Sequence, residues 1–442
     1  MAEYSNSIKI HEIEPVYFSA NNRVEFRLPQ GKLYTNSMIV ANVGATKSAG
    51  ASNYNHLVGC YGQLRSVSLL DGNTELQVLT RANEWAAFKN SIHSNAYNED
   101  VGNMMALNRK SAIFNIRDTT GLQTGAGTAL AAGTKTVEGG SRVNLGATGV
   151  SERLSGKGQL DLAEVLNLLQ SIAYVDTSVF KDLKVVIEYN QNINDIFDAT
   201  QNQGVMTTIR PYLIAEEIVD ESIVSANMGK LPRAIQYKVI ENDIVSVAAI
   251  TTGAGTPNPV VPNTFHIHAF NNKSVDRMLI KTRTTLAATR QEGNGDVGYG
   301  EYNSQAMLLQ KNQVRVNGRN IFARDGITKD NERLALFADT WGSASCQPFS
   351  HSLAPLAADA STRDNFISVG NEGIGALSYF GCDLAGVKVK DLQLDYERAG
   401  FRSSVGGQIA LSKYNSALDL IIFAEVKKAI IPSNNGYNVV YV

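Results

Sequence analysis

The chain has 442 residues, 43% hydrophobic and 19% charged, a balance that supports sizeable cores and excludes wholesale disorder. Its 40 Lys and Arg against 42 Asp and Glu give a formal charge of -2, without the basic surplus of a dedicated nucleic-acid binder. Its 3 cysteines, Cys60, Cys346 and Cys382, are too few and too far apart for a disulfide framework or a zinc motif, and read as reduced residues made in a reducing compartment.

Met1 to Ile10 is polar and lacks the basic and apolar regions of a signal peptide. Arg23 to Leu28 alternates, with Val24, Phe26 and Leu28 on one face, which predicts a half-buried strand. Ser37 to Val43 is a second strand, followed by the loop Gly44 to Asn55. Leu64 to Leu70 is a third, and Asp71-Gly72-Asn73 predicts a hairpin into Thr74-Glu75-Leu76. A helix carrying Trp85 and Phe88 falls between Leu76 and Ile92, with Trp85 in the core. Further strands are predicted at Ala112 to Ile116, Leu154 to Leu160, Leu183 to Tyr189 and Pro211 to Ile218. Thr119 to Gly149 is a Gly-rich surface excursion. Leu162, Val165, Leu166 and Leu169 share one face of a helix over Asp161 to Gln170, with Asp161 as N-cap and Glu164 at capping-box spacing.

Asp220 to Pro232 reads as a linker, after which the strand texture resumes. Strands are predicted at Ile235 to Ile240, Phe265 to Phe270, Asp276 to Thr284, Gln313 to Phe322, Val387 to Tyr396 and Leu418 to Val426. A short helix fits Tyr302 to Gln310, and loops fit Thr251 to Asn263 and Ala287 to Gly300. No run of 18 apolar residues is present, so no membrane-spanning helix is expected. The pattern is all-β: two halves, 1–222 and 223–442, each with about eight strands and a few short helices, joined at 220–232. The halves share negligible sequence identity, so a duplication is inferred from pattern alone.

No constellation in the chain argues for catalysis or for a cofactor. Gly125 to Gly133 lacks the Lys-Ser or Lys-Thr of a P-loop, and no G-x-S-x-G elbow is present. His266-x-His268 would place two rings on one strand face, about 7 Å apart, within reach of a metal that had a third ligand. They read instead as solvent-side histidines of a strand whose other face is core. Glu216-Glu217 and Asp220-Glu221 are adjacent acids pointing to opposite sides, unsuited to paired acid–base work, and read as solvated charge. Trp341 has no assignment from sequence. Arg315, Arg319 and Arg324 suit an exposed face or a subunit interface.

Several segments together resemble the double jelly-roll major capsid proteins of icosahedral DNA viruses, in particular those of polinton-like viruses and virophages. Val24 to Leu28 and the passage Gly59 to Leu76 are similar to that family's early strands and the turn that leads to a flanking helix. Leu154 to Leu162 with its helix, Leu183 to Tyr189 and Arg210 to Glu217 resemble the end of its first barrel. Phe265 to Thr284 and Leu418 to Val426 resemble its second barrel. The resemblance implies two consecutive eight-stranded jelly-roll sandwiches and no catalytic site, cofactor or metal. It also implies a homotrimer forming a pseudo-hexagonal capsomer in the virion, in contact with neighbouring capsomers and with penton and minor capsid proteins. It implies no sequence-specific nucleic-acid partner, and it leaves room for a membrane beneath the shell. On this view Met1 to Pro15, with Ile8, Ile10 and Ile13, is an arm that packs on a neighbouring subunit or an internal layer. The alternatives are a β-sandwich receptor- or glycan-binding spike or penton-type protein, and a carbohydrate-active enzyme on a jelly-roll scaffold.

Overall fold

Thirteen strands precede the expected linker in the computed structural model, which describes residues 8–47, 58–92, 157–192, 196, 205–219, 234–250, 260–284, 309–323, 325–328, 330–341, 380–399, 417–433 and 436–442. They are β1 (Ile8–Ile13), β2 (Tyr17–Ser19), β3 (Arg23–Arg27), β4 (Lys32–Tyr34), β5 (Ile39–Val43), β6 (Ala45–Lys47), β7 (Leu64–Asp71), β8 (Thr74–Thr80), β9 (Gly158–Asp161), β10 (Tyr174–Asp176), β11 (Leu183–Tyr189), β12 (Met206–Thr208) and β13 (Tyr212–Ile218). Helices α1 (Ala82–Ile92), α2 (Leu162–Val165) and α3 (Asn167–Ser171) interrupt them. The second half holds β14 (Ile235–Val247), β15 (Val260–His266), β16 (Ser274–Thr284), β17 (Leu309–Val316), β18 (Arg319–Asn320), helix α4 (Asp330–Trp341), β19 (Phe380–Lys388), β20 (Leu392–Ala399), β21 (Leu418–Ser433) and β22 (Gly436–Tyr441).

The pairing shows a duplication that the sequence hides. The first half forms sheets β1-β13-β5-β9 and β3-β11-β7-β8, and the second forms β14-β21-β16-β19 and β15-β20-β17-β18, all antiparallel. Counted in chain order within each half, both sets read 1-8-3-6 and 2-7-4-5. This is jelly-roll wiring, in which the first strand of a half pairs with its last. The remaining strands are additions: β4 beside β13 with β10 beyond it, β2 beside β3, the ribbon β6–β12, and β22 beside β21.

Alternation explains the pairing. In β3 Val24 and Phe26 are buried, while Arg23, Glu25 and Arg27 are not. Across the sheet Val24 faces Ile187 and Phe26 faces Val185, which in turn face Val67 and Leu69. One face of three strands therefore becomes a continuous apolar layer. At the β7–β8 hairpin Gly72 takes φ +59, a left-handed conformation that suits glycine, as Asp-Gly predicts.

Several expectations are corrected. The helix expected over Asp161 to Gln170 is two short ones, because Leu166 is extended (φ -115, ψ 93) and the Leu168 amide donates to buried Gln77 Oε1 at 2.9 Å. Asp161 does cap α2, accepting from the Ala163 amide at 2.9 Å. The strand expected at Phe265 to Phe270 is displaced to Val260–His266, taking residues from the expected loop, because Phe270 folds into the core before a turn at Asn272 (φ +64). Val387 to Tyr396 is not one strand: β19 ends at Lys388 and β20 starts at Leu392. Gln313 to Phe322 is a hairpin turning at Asn317 (φ +52) and Gly318 (φ +77). Leu309 and Gln310 open β17 where a helix end was expected. The N-terminal arm is not free: Ile8–Ile13 lies on β13 of its own chain, and His11 Nε2 meets Glu217 Oε2 at 2.7 Å. The expectations for 112–116, 119–149, 220–232 and 287–300 lie outside the described residues, as do Cys346 and Arg324.

Candidate functional site: the seam between the two halves

The two halves meet through equivalent elements. Helices α1 and α4 each follow the fifth jelly-roll strand of their half, β8 and β18. They meet ring to ring: Phe88 to Phe337 at 6.1 Å, Phe88 to Trp341 at 5.4 Å and Trp85 to Trp341 at 5.8 Å. Trp85 also packs on Phe423 of β21, with centroids 5.5 Å apart. These edge and tilted contacts favour aromatic pairs beyond the area they bury. They help to explain why Leu418–Val426 of β21 is buried without a break: the halves share one continuous apolar core.

Trp341, unassigned from sequence, is thus part of this seam. Its indole donates to the Met278 carbonyl at 2.9 Å, and the Arg277 guanidinium lies 4.2 Å from its ring centroid. Arg277 is held in turn by Glu425 and by the Thr340 carbonyl at 3.0 Å. Gly381 makes room for the indole, since a Cβ there would stand 2.7 Å from Trp341 Cδ1.

A charged cluster lies beside the aromatics. Glu84, in the first turn of α1, is 1% exposed. It accepts from Arg81 at 2.6 Å, from Lys281 at 3.1 Å and from Arg283 at 3.0 Å. The last two come from β16 of the other half. Arg283 also reaches Asp419 at 3.4 Å, and Ser246 donates to that carboxylate at 3.0 Å. Burial alone would raise the Glu84 pKa, but Lys281, Arg283 and Arg81 override it and hold the carboxyl at about 2. Sequence gave no sign of this cluster, because its members lie far apart in the chain and no local spacing joins them.

Side chains from the second half also satisfy the exposed edge of β8. Tyr237 donates to the Leu76 carbonyl at 2.7 Å, and Asn242 donates to the Thr80 carbonyl at 2.9 Å. An open strand edge invites pairing with other chains, and this one is covered internally. The C-terminal strand adds a further tie: Tyr437 donates to Asp71 at 2.6 Å and packs its ring 5.2 Å from that of Phe180.

The residues weighed for chemistry lie elsewhere. His266 and His268 stack with centroids 6.5 Å apart, His266 Nδ1 being 3.5 Å from Asp391. Among the described residues no group of three His, Cys, Asp or Glu side chains is placed to hold a metal ion. Glu217 pairs with His11, and Arg315 pairs with Asp395 at 3.1 Å. Cys60 and Cys382 are buried and unpaired with each other; burial lifts the Cys60 thiol far above its usual range and, with Asp383 beside it, lifts Cys382 to about 12.

The fold is a double jelly roll, two eight-stranded sandwiches of the same wiring in one chain. No protein-family model matches the chain, and no curated protein matches its sequence. Its fold is similar to that of VP54 of PBCV-1, fitted into a reconstruction of the virophage Sputnik (TM-score 0.58, 9% identity, 99% of this chain and 97% of that one). It is also similar to the mavirus major capsid protein (TM-score 0.54, 10% identity, 99% and 90%). A chain of the Sputnik virophage particle matches as well (TM-score 0.55, 11% identity, 98% and 88%).

Proposed function

We propose that this chain is a structural, non-enzymatic shell protein: the major capsid protein of an icosahedral virion. On this reading residues 1–222 and 223–442 are two jelly-roll units, and three chains form a pseudo-hexagonal capsomer of six units. The observation that carries the reading is the packed seam. Equivalent helices meet in an aromatic cluster, and a buried charge cluster bridges α1 to β16. Such a seam fixes the angle between two similar units, which a six-sided wall built from three chains requires. The likeness in fold to the PBCV-1 capsid and to the mavirus major capsid protein, over almost the whole chain, supports the same conclusion. Neighbouring capsomers, penton and minor capsid proteins are the partners that this role entails, and the virion is its location. Light scattering on the purified protein tests it: the expected mass is three times the 47.8 kDa of one chain. A monomer at all concentrations would refute it.

A further inference from the structure

The outer face of the β3-β11-β7-β8 sheet carries a trough that borders the seam at Thr80, Arg81 and Glu84. Its main hollow has a volume of 570 Å³, and a second of 370 Å³ adjoins it through the shared residues Arg65, Glu188 and Gln191. The larger hollow lies within the ~300–1,000 Å³ range of small-ligand sites. It exists because Ser66 and Ser68, small residues, occupy the outward positions of β7, where Ser66 faces Glu188 and Thr80 across the sheet.

Most of the side chains that line the trough are polar. Hydroxyl groups and the amides of Asn190 and Gln191 line it, with Val78 as its one aliphatic side chain. Arg65 stands exposed where the two hollows join. Opposite charge comes from Glu188, which accepts from Ser66 at 2.9 Å. At the far end Tyr17 is 51% exposed and lines the second hollow.

The exposed lining of the main hollow is polar and apolar in equal measure, which suits a ligand that carries both hydroxyl groups and apolar faces. Planar guanidinium, amide and carboxylate groups present paired donors or acceptors that match adjacent hydroxyl groups. An exposed tyrosine ring can stack on the apolar face of a sugar. In the main hollow Arg65 and Arg81 are balanced by Glu188 and Glu84, and Arg23 of the second hollow pairs with Glu25, so the favoured ligand is neutral. We propose that this trough binds a neutral oligosaccharide, with Arg65, Glu188 and Gln191 contacting its hydroxyl groups and Tyr17 stacking on a terminal ring. This goes beyond the shell reading and does not depend on the number of chains in the particle.

The test is saturation-transfer NMR on the full chain with maltotriose, mannotriose and chitotriose. At least one is expected to receive saturation, with affinity lowered at least tenfold in both Arg65→Ala and Gln191→Ala, while melting temperature and solution mass stay at their wild-type values. Absence of transfer to all three would overturn the proposal, as would undiminished binding by the variants. A changed solution mass in Arg65→Ala would also overturn it, because the trough would then be a contact between copies of the chain. The shell reading is tested separately by the mass of the wild-type protein.

Discussion

Replacing Glu84 with glutamine keeps the shape of the seam and removes its central charge. Arg283 keeps Asp419 at 3.4 Å, but Lys281, itself fully buried, loses its 3.1 Å contact with a carboxylate. Breaking a buried ion pair by neutralising one partner costs about 3–5 kcal/mol, since the other charge stays in a dry setting. That is a large part of the ~5–15 kcal/mol that holds a typical domain folded. At ~2–4 °C per kcal/mol for units of this size, the melting temperature should fall by roughly 6–20 °C. The assay is thermal and urea unfolding of wild type and Glu84→Gln, together with Glu84→Gln/Lys281→Met. The double variant removes both charges and should recover most of the loss, as apolar replacement of buried pairs does. The pH dependence gives a second reading. With the folded carboxyl at about 2, below its usual 4.5, Glu84 contributes fully above about pH 4.5 and loses its contribution as pH falls toward 2. Glu84→Gln should therefore show a flatter acid limb across that window. A loss below about 1 kcal/mol would match an exposed ion pair and refute the account of a dry seam.

Gly381→Ala forces Trp341 to move, because its Cβ would meet the indole at 2.7 Å. A destabilisation of about 1–3 kcal/mol is expected. The emission should shift too, since the chain's 2 tryptophans, Trp85 and Trp341, both sit in this cluster, and an unchanged spectrum would contradict it. Tyr237→Phe leaves the Leu76 carbonyl at the edge of β8 without its 2.7 Å donor, for a loss of about 1–3 kcal/mol by urea unfolding. Tyr437 is held above its ordinary pKa by burial and by its bond to Asp71, so its stabilisation is complete below about pH 10 and is lost at higher pH. Tyr437→Phe should remove that alkaline dependence in pH-resolved melting. Deleting residues 2–13 removes β1 and bares the edge of β13, so a folded but aggregation-prone protein is expected by light scattering, and a clean, fully assembling one would contradict the placement of β1.

The strands were legible where one face is core and the other is water. Leu183–Tyr189 and the Asp71-Gly72 hairpin were read almost to the residue, because alternation and turn chemistry are local signals. Where long-range partners override local pattern, the reading fell short. The expected strand at Ile235 continues through the polar run Glu241-Asn242-Asp243 because Asn242 bonds Thr80 and Glu241 meets Lys273 at 2.6 Å. Leu166 breaks a helix that its periodicity favours, because Gln77, far off in sequence, takes the Leu168 amide. Helix α4 went unread, since its apolar residues Leu336, Phe337 and Trp341 acquire a face only against α1 and β19. The duplication shows itself in wiring and in the matched positions of α1 and α4, neither of which needs sequence identity between the halves.

The most direct test of the central claim is electron microscopy of the purified protein after separation by size. The account predicts particles with a hexagonal outline and six lobes from three chains, the two lobes of each chain held at one fixed angle across the α1–α4 seam. Single two-lobed particles, or lobes at variable angles, would contradict it.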